Sequence, residues 1–597
     1  MQGNLYIGYS ELFGHKPSLV TLKRQLRQFK LSDALFHVSR MNVLLGRNRM
    51  LRDGREALQE LQGQLVANYI DDEILEAKLK PKFGPFKRDE HAVFVRQSAL
   101  GLLRLIALVC EETASTLAIG KTPGGYQLGR CCLMMNDHLL SRREEKAISE
   151  GSTSKRKRYL GMQLAPLLEL YNPPSLSRAV ARAEIIFSEL LNSERMRDIA
   201  QSKLGGFHLN SAFLDATGLT IEKYKELILG VMSWLYGHET KEFVNNPNLL
   251  TFRRAQFIND SLIEPKDFDN YLSLDSLTPA QLKKQFTERR VKVLPHFDYV
   301  VFRTRPLIEV DKDAFICADA CFLVEKLSSG IYWTIVDSLS GSDKQRAFDA
   351  FGYLLESYLN RLFQQIPITD GCFLSDLKYA NGDSAFDGAI WRGNHLIVME
   401  YKASFMRAEA KYGGKIRLFE QELDKKFGLD KNTRKQKGVA QLANHIGHLF
   451  CKDPSERRTI EGLTEVIQQS GRRIERITPV LIVQEPALRL QILEDILSQK
   501  FRDLLKGKRI SNAVRVEPLA VIDIDTLEEM KPHLIAGEFT LEQCLNARAL
   551  RDPEYKVMWH DFLDFFCLNF QKTPDTEIDR KFEEIMDRAK KNFFGNN

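Results

Sequence analysis

Apolar residues recur every three or four positions through much of the first half of the chain, which is the spacing of an amphipathic helix. The segments that show it are 55–70, 97–112, 175–191 and 220–236. Thr220 can cap the last of these helices, and Thr278 opens a Thr-Pro-Ala-Gln sequence that combines a capping box with proline at the first helical position. Residues 1–290 are therefore predicted to form a mainly α-helical N-terminal region.

The pattern changes near residue 296, where short β-branched and aromatic runs replace the helical spacing. The predicted elements are a hairpin from 298–310 and 314–319, a helix at 346–366, strands at 373–379, 384–391 and 395–402, a helix at 438–450, and strands at 478–485 and 517–524. This order predicts an α/β unit with a mixed sheet over 291–530. Thr540 opens a further capping box, so residues 531–597 are predicted to form a short helical tail.

With 597 residues, the chain is too long for one core and is expected to form about three or four units. Its 85 basic and 79 acidic residues leave a formal net charge of +6, which by itself does not indicate nucleic-acid binding. Any prediction of nucleic-acid binding must therefore depend on local clusters of basic residues.

Several function classes are disfavoured by the sequence. The N-terminus lacks the features of a signal peptide, and the most apolar stretch, 98–110, is interrupted by Arg104 and too short to span a bilayer. The nine cysteines include no CxxC pair, which disfavours structural zinc and fits reduced thiols in a cytoplasmic protein. There is no GxxxxGK[ST] sequence, so ATP hydrolysis is not expected either.

The candidate catalytic side chains are concentrated around the strand that ends in Glu-Tyr-Lys. Residues two apart in a strand share a face, so Glu400 and Lys402 point the same way, and Asp387 on the preceding strand can lie beside them. Glu356 is the single acidic residue in an apolar stretch of the helix before this unit. These side chains could converge at one edge of the sheet. The alternative for Glu400 and Lys402 alone is a surface ion pair, worth about 0–1 kcal/mol.

Three carboxylates and an amine are the groups that phosphodiester hydrolysis requires. Carboxylate oxygens suit Mg²⁺, which takes one or two carboxylates together with substrate phosphate and retains several waters. The cation polarises the phosphoryl oxygen and lowers the pKa of bound water. A lysine beside it can orient the attacking water and offset charge on the scissile phosphate.

The sequence SAFD-x12-EYK, with thirteen residues from Asp387 to Glu400, resembles the core of the PD-(D/E)xK, or restriction-endonuclease-like, nuclease superfamily. The resemblance covers roughly 340–525, and the first motif reads Phe-Asp where Pro-Asp is usual. It implies a restriction-endonuclease-like α/β core and a cofactor that is Mg²⁺ or Mn²⁺. It also implies that Asp387 and Glu400 bind the metal, that the Tyr401 carbonyl is a further ligand, and that Lys402 is catalytic.

Two further residues match positions that only some branches of the superfamily share. Glu356 in FGYLLESYL matches the acidic residue that many members carry on the first core helix, where it would contact the metal. Gln441 in KGVAQLANHI resembles the glutamine on the post-core helix of the RecB-like branch and would belong to the catalytic set.

Basic residues are concentrated between the catalytic strand and the Gln441 helix, where a nucleic-acid backbone would pass. Those proposed to contact phosphate are Lys411, Lys415, Arg417, Arg434, Lys435, Lys437 and His445. The alternative is a solvated loop or, for the helical positions, a packing face. A lesser patch at Arg472, Arg473 and Arg476 and the basic segment 142–158 carry the same two interpretations.

The expected function is therefore a metal-dependent nuclease, with DNA favoured over RNA as its substrate. The layout also resembles that of nucleases from bacterial anti-phage defence loci, so the helical region would sense a partner defence protein, restrain the nuclease or build a homo-oligomer. The rival hypothesis is a non-catalytic nucleic-acid-binding or assembly subunit that uses a nuclease-like fold. A broken set of site residues would mark that rival, and here all four positions are filled.

Overall fold

The structure is a computed structural model that describes residues 5–51, 54–79, 91–113, 119, 123–139, 175–237, 242, 246–259, 263–289, 297–428, 436–549, 559–567 and 575–594. The basic segment 142–158 lies outside the described residues. In the part of the chain that is described, the fold is mixed α/β, with a large helical region and mixed sheets.

The N-terminal region consists mainly of helices, as its apolar spacing predicts. Its α-helices are Tyr9–Phe13, Leu19–Leu26, Leu31–Leu51, Gly54–Tyr69, Asp72–Ile74, Arg96–Val109, Pro123–Asn136, Leu176–Glu184, Glu194–Ser202, Leu209–Thr217, Ile221–Tyr236, Arg254–Asn259, Pro265–Asp275 and Pro279–Arg289. The π-helical turns Leu75–Leu79 and Ile185–Leu190 extend two of them. Thr220 accepts the backbone N–H of Lys223 at 3.2 Å, and Thr278 and Gln281 form the predicted reciprocal cap.

Two small sheets accompany these helices. The first pairs β1 (Leu5–Tyr6) with β2 (His91–Ala92), and the second has the order β3–β6–β5–β4. The strands of the second sheet are β3 (Thr251–Arg253), β4 (Ser276–Leu277), β5 (Leu307–Asp311) and β6 (Ala314–Cys317). The predicted hairpin is present in part, as β5 and β6, because residues 300–304 of its first predicted strand form the helix Val300–Thr304 instead. Its outer partners come from before residue 290, so it extends the N-terminal region.

The large sheet has six strands. They are β7 (Gly371–Ser375), β8 (Gly388–Arg392), β9 (His395–Lys402), β10 (Arg476–Val483), β11 (Arg515–Val516) and β12 (Ala520–Asp523). β7, β8 and β9 are antiparallel neighbours, β9 runs parallel to β10, and β10 pairs in parallel with both β11 and β12. The register places Glu400 opposite Leu481 and Lys402 opposite Val483. The predicted mixed sheet is therefore confirmed, with strands that span 371–523.

Helices cover both faces of this sheet. The α-helices of this part are Val300–Thr304, Ala320–Glu325, Ile331–Ser338, Gly341–Gln364, Ala408–Tyr412, Ile416–Phe427, Val439–Leu449, Leu463–Ser470, Gln491–Lys506 and Ile524–Ile535, with a π-helical turn at Lys326–Gly330. The side chains of β9 alternate between two apolar cores. Ile397, Met399 and Tyr401 join the core shared with Gly341–Gln364 and the N-terminal region, whereas Leu396 and Val398 face Val439–Leu449. Burial on both faces explains the unbroken apolar run of this strand.

The C-terminal tail is helical and packs back on the rest of the chain. Its α-helices are Leu541–Ala549, Trp559–Phe566 and Thr576–Phe594. Trp559 donates its indole N–H to the Val521 carbonyl of β12 at 2.7 Å, and Phe593 packs against Gly230 in the N-terminal region. The tail therefore shares the core of the N-terminal region. Among the described residues, no helix combines the length and apolar character needed to cross a bilayer.

Candidate functional site

Asp387, Glu400 and Lys402 meet where β8 begins and β9 ends. The backbone N–H of Asp387 donates to the Met399 carbonyl at 3.1 Å, and its Oδ2 accepts the backbone N–H of Tyr401 at 2.7 Å. Lys402 donates from Nζ to Glu400 Oε1 at 2.5 Å. Strand alternation and the β8–β9 turn thus bring the three predicted residues to one place.

Glu400 is a buried carboxylate, only 2 % exposed. Burial raises its pKa to about 8, and the nearby Asp387 carboxylate contributes to this rise, against the opposing effect of Lys402. Burial also raises the pKa of Asp387, which Lys402 and the Tyr401 N–H partly offset. For Lys402, burial lowers the pKa, but the Glu400 and Asp387 carboxylates outweigh it and the net pKa is raised. The lysine is therefore a cation beside two mutually repelling acids.

Glu356 approaches from the opposite face of the sheet, on the Gly341–Gln364 helix. Burial raises its pKa to about 8, with further contributions from a hydrogen bond to Asp376 and from the charges of Asp376 and Asp387. Glu356 thus lies within electrostatic reach of Asp387, which in turn is within reach of Glu400. Asp387 is the link between the two sides of the sheet.

Asp376 and Arg195 also belong to this cluster, although the sequence motifs do not include them. Asp376 follows β7 in a left-handed conformation with φ of 54°, and its hydrogen bond with Glu356 lowers its pKa. Arg195 Nη2 donates to Glu356 Oε1 at 3.0 Å and to both carboxylate oxygens of Asp376 at 3.2 Å. The Ser-Asp pair after an apolar strand could have indicated Asp376. No local signal in the sequence connects Arg195 to a strand about 180 residues later.

The donor set fits a magnesium-type ion. Among the described residues, no three His, Cys, Asp or Glu side chains form a ready-made metal cage. Mg²⁺ needs no such cage, since one or two carboxylates, water and substrate phosphate complete its shell. Asp387 and Glu400 are two carboxylates whose repulsion a divalent cation would relieve. The residues present are therefore compatible with the cofactor that the sequence implies.

Gln441 and His445 lie one turn apart on the Val439–Leu449 helix, which covers the Glu400 face. Gln441 Oε1 accepts the Gly438 backbone N–H at 3.0 Å, so this side chain caps its own helix. His445 Nδ1 lies 2.8 Å from the Tyr379 hydroxyl. Burial lowers the pKa of His445 to about 4, with smaller contributions from His448 and Lys402. His445 is therefore neutral at physiological pH, and a phosphate contact there would be a hydrogen bond without an ion pair.

The predicted basic residues lie in different environments. Lys411 is 5 % exposed, and its ammonium pairs with the buried Glu485 at 2.6 Å, so its position does not favour a phosphate contact. Lys415 and Arg417 are exposed at the start of the Ile416–Phe427 helix. Lys437 is partly buried just before the Val439–Leu449 helix, and Arg434 and Lys435 lie outside the described residues.

Comparison of this chain with protein-family models, with curated proteins and with solved structures gives no significant match. The functional interpretation therefore depends on the chemistry of the site and on the sequence motif.

Proposed function

We propose that the chain is a metal-dependent nuclease that hydrolyses phosphodiester bonds in nucleic acid, with DNA favoured as its substrate. The observation that carries the proposal is the group formed by the buried Glu400 and the partly buried Asp387 and Lys402. A buried ion pair contributes little net stability, because desolvation offsets much of the attraction between its charges. Strongly shifted carboxyl pKa values are concentrated at functional sites more than elsewhere. A catalytic role therefore explains the cluster better than a contribution to the stability of the fold does.

Each residue has a role that its surroundings support. Asp387 and Glu400 would hold Mg²⁺ or Mn²⁺, which when bound polarises the phosphoryl oxygen and favours ionisation of water. Lys402 stays charged and has N–H donors beyond the one given to Glu400, so it can orient a water and bind a phosphate oxygen. Glu356 lies on the other side of Asp387, and from there it would contribute a further carboxylate to the site.

The proposed biological setting is prokaryotic anti-phage defence, which comes from the resemblance of the layout. The apolar core shared by the N-terminal helices, the Gly341–Gln364 helix and one face of the large sheet supports a close mechanical link between the helical region and the site. Such a link suits a nuclease whose activity must be restrained until infection.

Plasmid cleavage tests the proposal. We expect the wild type to nick or linearise supercoiled plasmid with Mg²⁺ or Mn²⁺, and Lys402→Ala to lose at least about a hundredfold in rate, the order of effect of a positioned catalytic group. The matched control is Lys506→Ala, since Lys506 is an exposed lysine that pairs at the surface with Asp503. Thermal unfolding of each variant checks that the fold is intact.

The outcomes separate the two hypotheses. If the wild type binds DNA yet leaves plasmid, single-stranded DNA and RNA intact with either metal, the non-catalytic binding subunit is the better description. If Lys402→Ala cuts as fast as the wild type, the site is misplaced even though the protein is a nuclease.

A further inference from the structure

Arg195 brings a cation from the N-terminal region into the candidate site. It lies in the first turn of the Glu194–Ser202 helix, whose N-cap Ser193 accepts the Met196 backbone N–H at 3.3 Å. The buried Met196 anchors this turn. One terminal nitrogen of Arg195 bridges Glu356 and Asp376, which come from different elements of the α/β unit. A guanidinium is always charged and suits such carboxylate bridging.

The charges of the site fall into two groups. On one side of Asp387, Arg195 covers Glu356 and Asp376, and on the other side Lys402 covers Glu400. When all are ionised, the four carboxylates and the two cations in direct contact with this group leave two negative charges. One divalent cation balances that charge, whereas two would leave an excess of positive charge.

Two-metal nucleases need a second set of carboxylates that is free to bind the second ion. Here Glu356 and Asp376 would have to provide that set, and both are already bound to Arg195. The position that a second metal ion would occupy, beside Glu356 and Asp376, therefore already has a positive charge, which Arg195 supplies.

We propose that Arg195 takes the place of a second divalent cation, so that the site binds one cation, at Asp387 and Glu400. This inference rests on the proposed metal-dependent function. Arg195 is a positioning residue, because it acts through Glu356 and Asp376. The N-terminal region is then part of the site, and its Glu194–Ser202 helix sets how many cations bind there.

Calorimetric titration of the full chain with Ca²⁺ or Mn²⁺ alone, without nucleic acid, tests the stoichiometry. We expect the wild type to bind one cation, Arg195→Gln to bind two, and Arg195→Lys, which keeps the charge, to bind one. Adding Asp376→Asn to Arg195→Gln should remove the second cation. The control is Arg197→Gln on the same helix, since Arg197 is exposed and donates to the Asn192 carbonyl.

Two cations in the wild type, or only one cation in Arg195→Gln, would overturn the inference. Plasmid cleavage by such a wild type would leave the proposed nuclease function standing. A wild type that neither binds a cation nor cuts would refute both proposals together. Should Arg195→Gln unfold, Arg195→Ala, which also removes the charge beside Glu356 and Asp376, is titrated in its place with the same expected second cation.

Discussion

Asp387 is held by the strand that carries its partner carboxylate: its Oδ2 accepts the backbone N–H of Tyr401 at 2.7 Å, between Glu400 and Lys402. The backbone N–H of Asp387 is also bonded to the Met399 carbonyl of that strand. These two hydrogen bonds hold Asp387 against β9 before any ligand binds, and the one from Tyr401 orients its carboxylate.

Asp387→Asn removes the negative charge of residue 387 but keeps its ability to accept the hydrogen bond from Tyr401. The amide oxygen can still accept from the Tyr401 N–H, so the midpoint of thermal unfolding should stay within a few degrees of the wild type, while Ca²⁺ binding falls at least tenfold. Asp387→Ala should lose both the hydrogen bond from Tyr401 and the cation. Calorimetry and thermal unfolding measure the two effects. Asp387→Asn binding Ca²⁺ with wild-type affinity would show that this carboxylate is not a ligand.

Glu400 should make the metal-free protein less stable as the pH rises. Its folded pKa of about 8 lies above the value of about 4.3 expected in the unfolded chain. The folded state therefore holds the proton more tightly, and this stabilisation is complete below pH about 4 and lost as the pH rises through about 8. One pKa unit corresponds to about 1.4 kcal/mol, so the total loss is on the order of a few kcal/mol.

Glu400→Gln removes this titration. In chelator-treated protein, we expect the variant to be more stable than the wild type at pH 9 and to differ less at pH 5. The free energy of unfolding in urea, measured at both values, gives the comparison. Equal differences at the two pH values would mean that Glu400 does not titrate in this range.

Most of the secondary structure could be predicted because local signals agree with tertiary packing. The unbroken apolar run of β9 reflects burial on both faces, and the caps at Thr220, Thr278 and Thr540 all form as expected. Spacing by two predicts the shared face of Glu400 and Lys402 because alternation in a strand is a local property. Their mutual contact follows from the same geometry.

What could not be predicted depends on contacts between distant segments. The sequence pattern predicts a strand over 373–379 that includes Asp376, whereas β7 ends at Ser375 and Asp376 turns the chain away. Arg195 reaches the site only through packing of helices far apart in sequence. Lys411 resembles its basic neighbours in the sequence, but its partner Glu485 lies 74 residues later and the pair is buried. Charge clustering in a sequence does not tell which lysines face solvent.

Gly388 and Tyr401 illustrate how closely the two site strands pack. A Cβ on Gly388 would lie 2.4 Å from the Tyr401 hydroxyl oxygen, and that buried oxygen has no hydrogen-bond partner among the described residues. We expect Gly388→Ala to cost about 1–3 kcal/mol through overpacking. Tyr401→Phe should be neutral or stabilising, because it removes an unsatisfied polar group. In the double variant, the loss should be smaller than the sum of the single effects; strict additivity in urea unfolding would argue against this contact.

Lys411 should contribute to the stability of the fold, whereas Lys415 and Arg417 should contribute to nucleic-acid binding. Lys411→Ala leaves the buried Glu485 without its ammonium partner, a change that typically costs about 3–5 kcal/mol. The pair Lys415→Ala and Arg417→Ala alters exposed side chains, so unfolding should change little. This double variant should weaken DNA binding and reduce the slope of log K against log salt by about 0.9 for each phosphate that the protein no longer neutralises. An unchanged slope would remove these residues from the interface.

Glu577 should stabilise the C-terminal helix only above acid pH. Its carboxylate accepts hydrogen bonds from Arg361 at 2.8 Å and from Lys531 at 3.2 Å. Burial alone would raise the pKa of Glu577, but these two cations outweigh it and lower the pKa to about 2. Since the unfolded value is about 4.3, the stabilisation is present above that pH and is lost as the pH falls through about 2. We expect Glu577→Gln to lower the free energy of unfolding by about 1–2 kcal/mol at pH 7, and by less at pH 3, after allowance for partial solvent screening. The control Glu584→Gln, in an exposed pair with Arg580, should change it by under about 0.5 kcal/mol. A larger effect of Glu577→Gln at pH 3 than at pH 7 would contradict the assigned direction of the pKa shift.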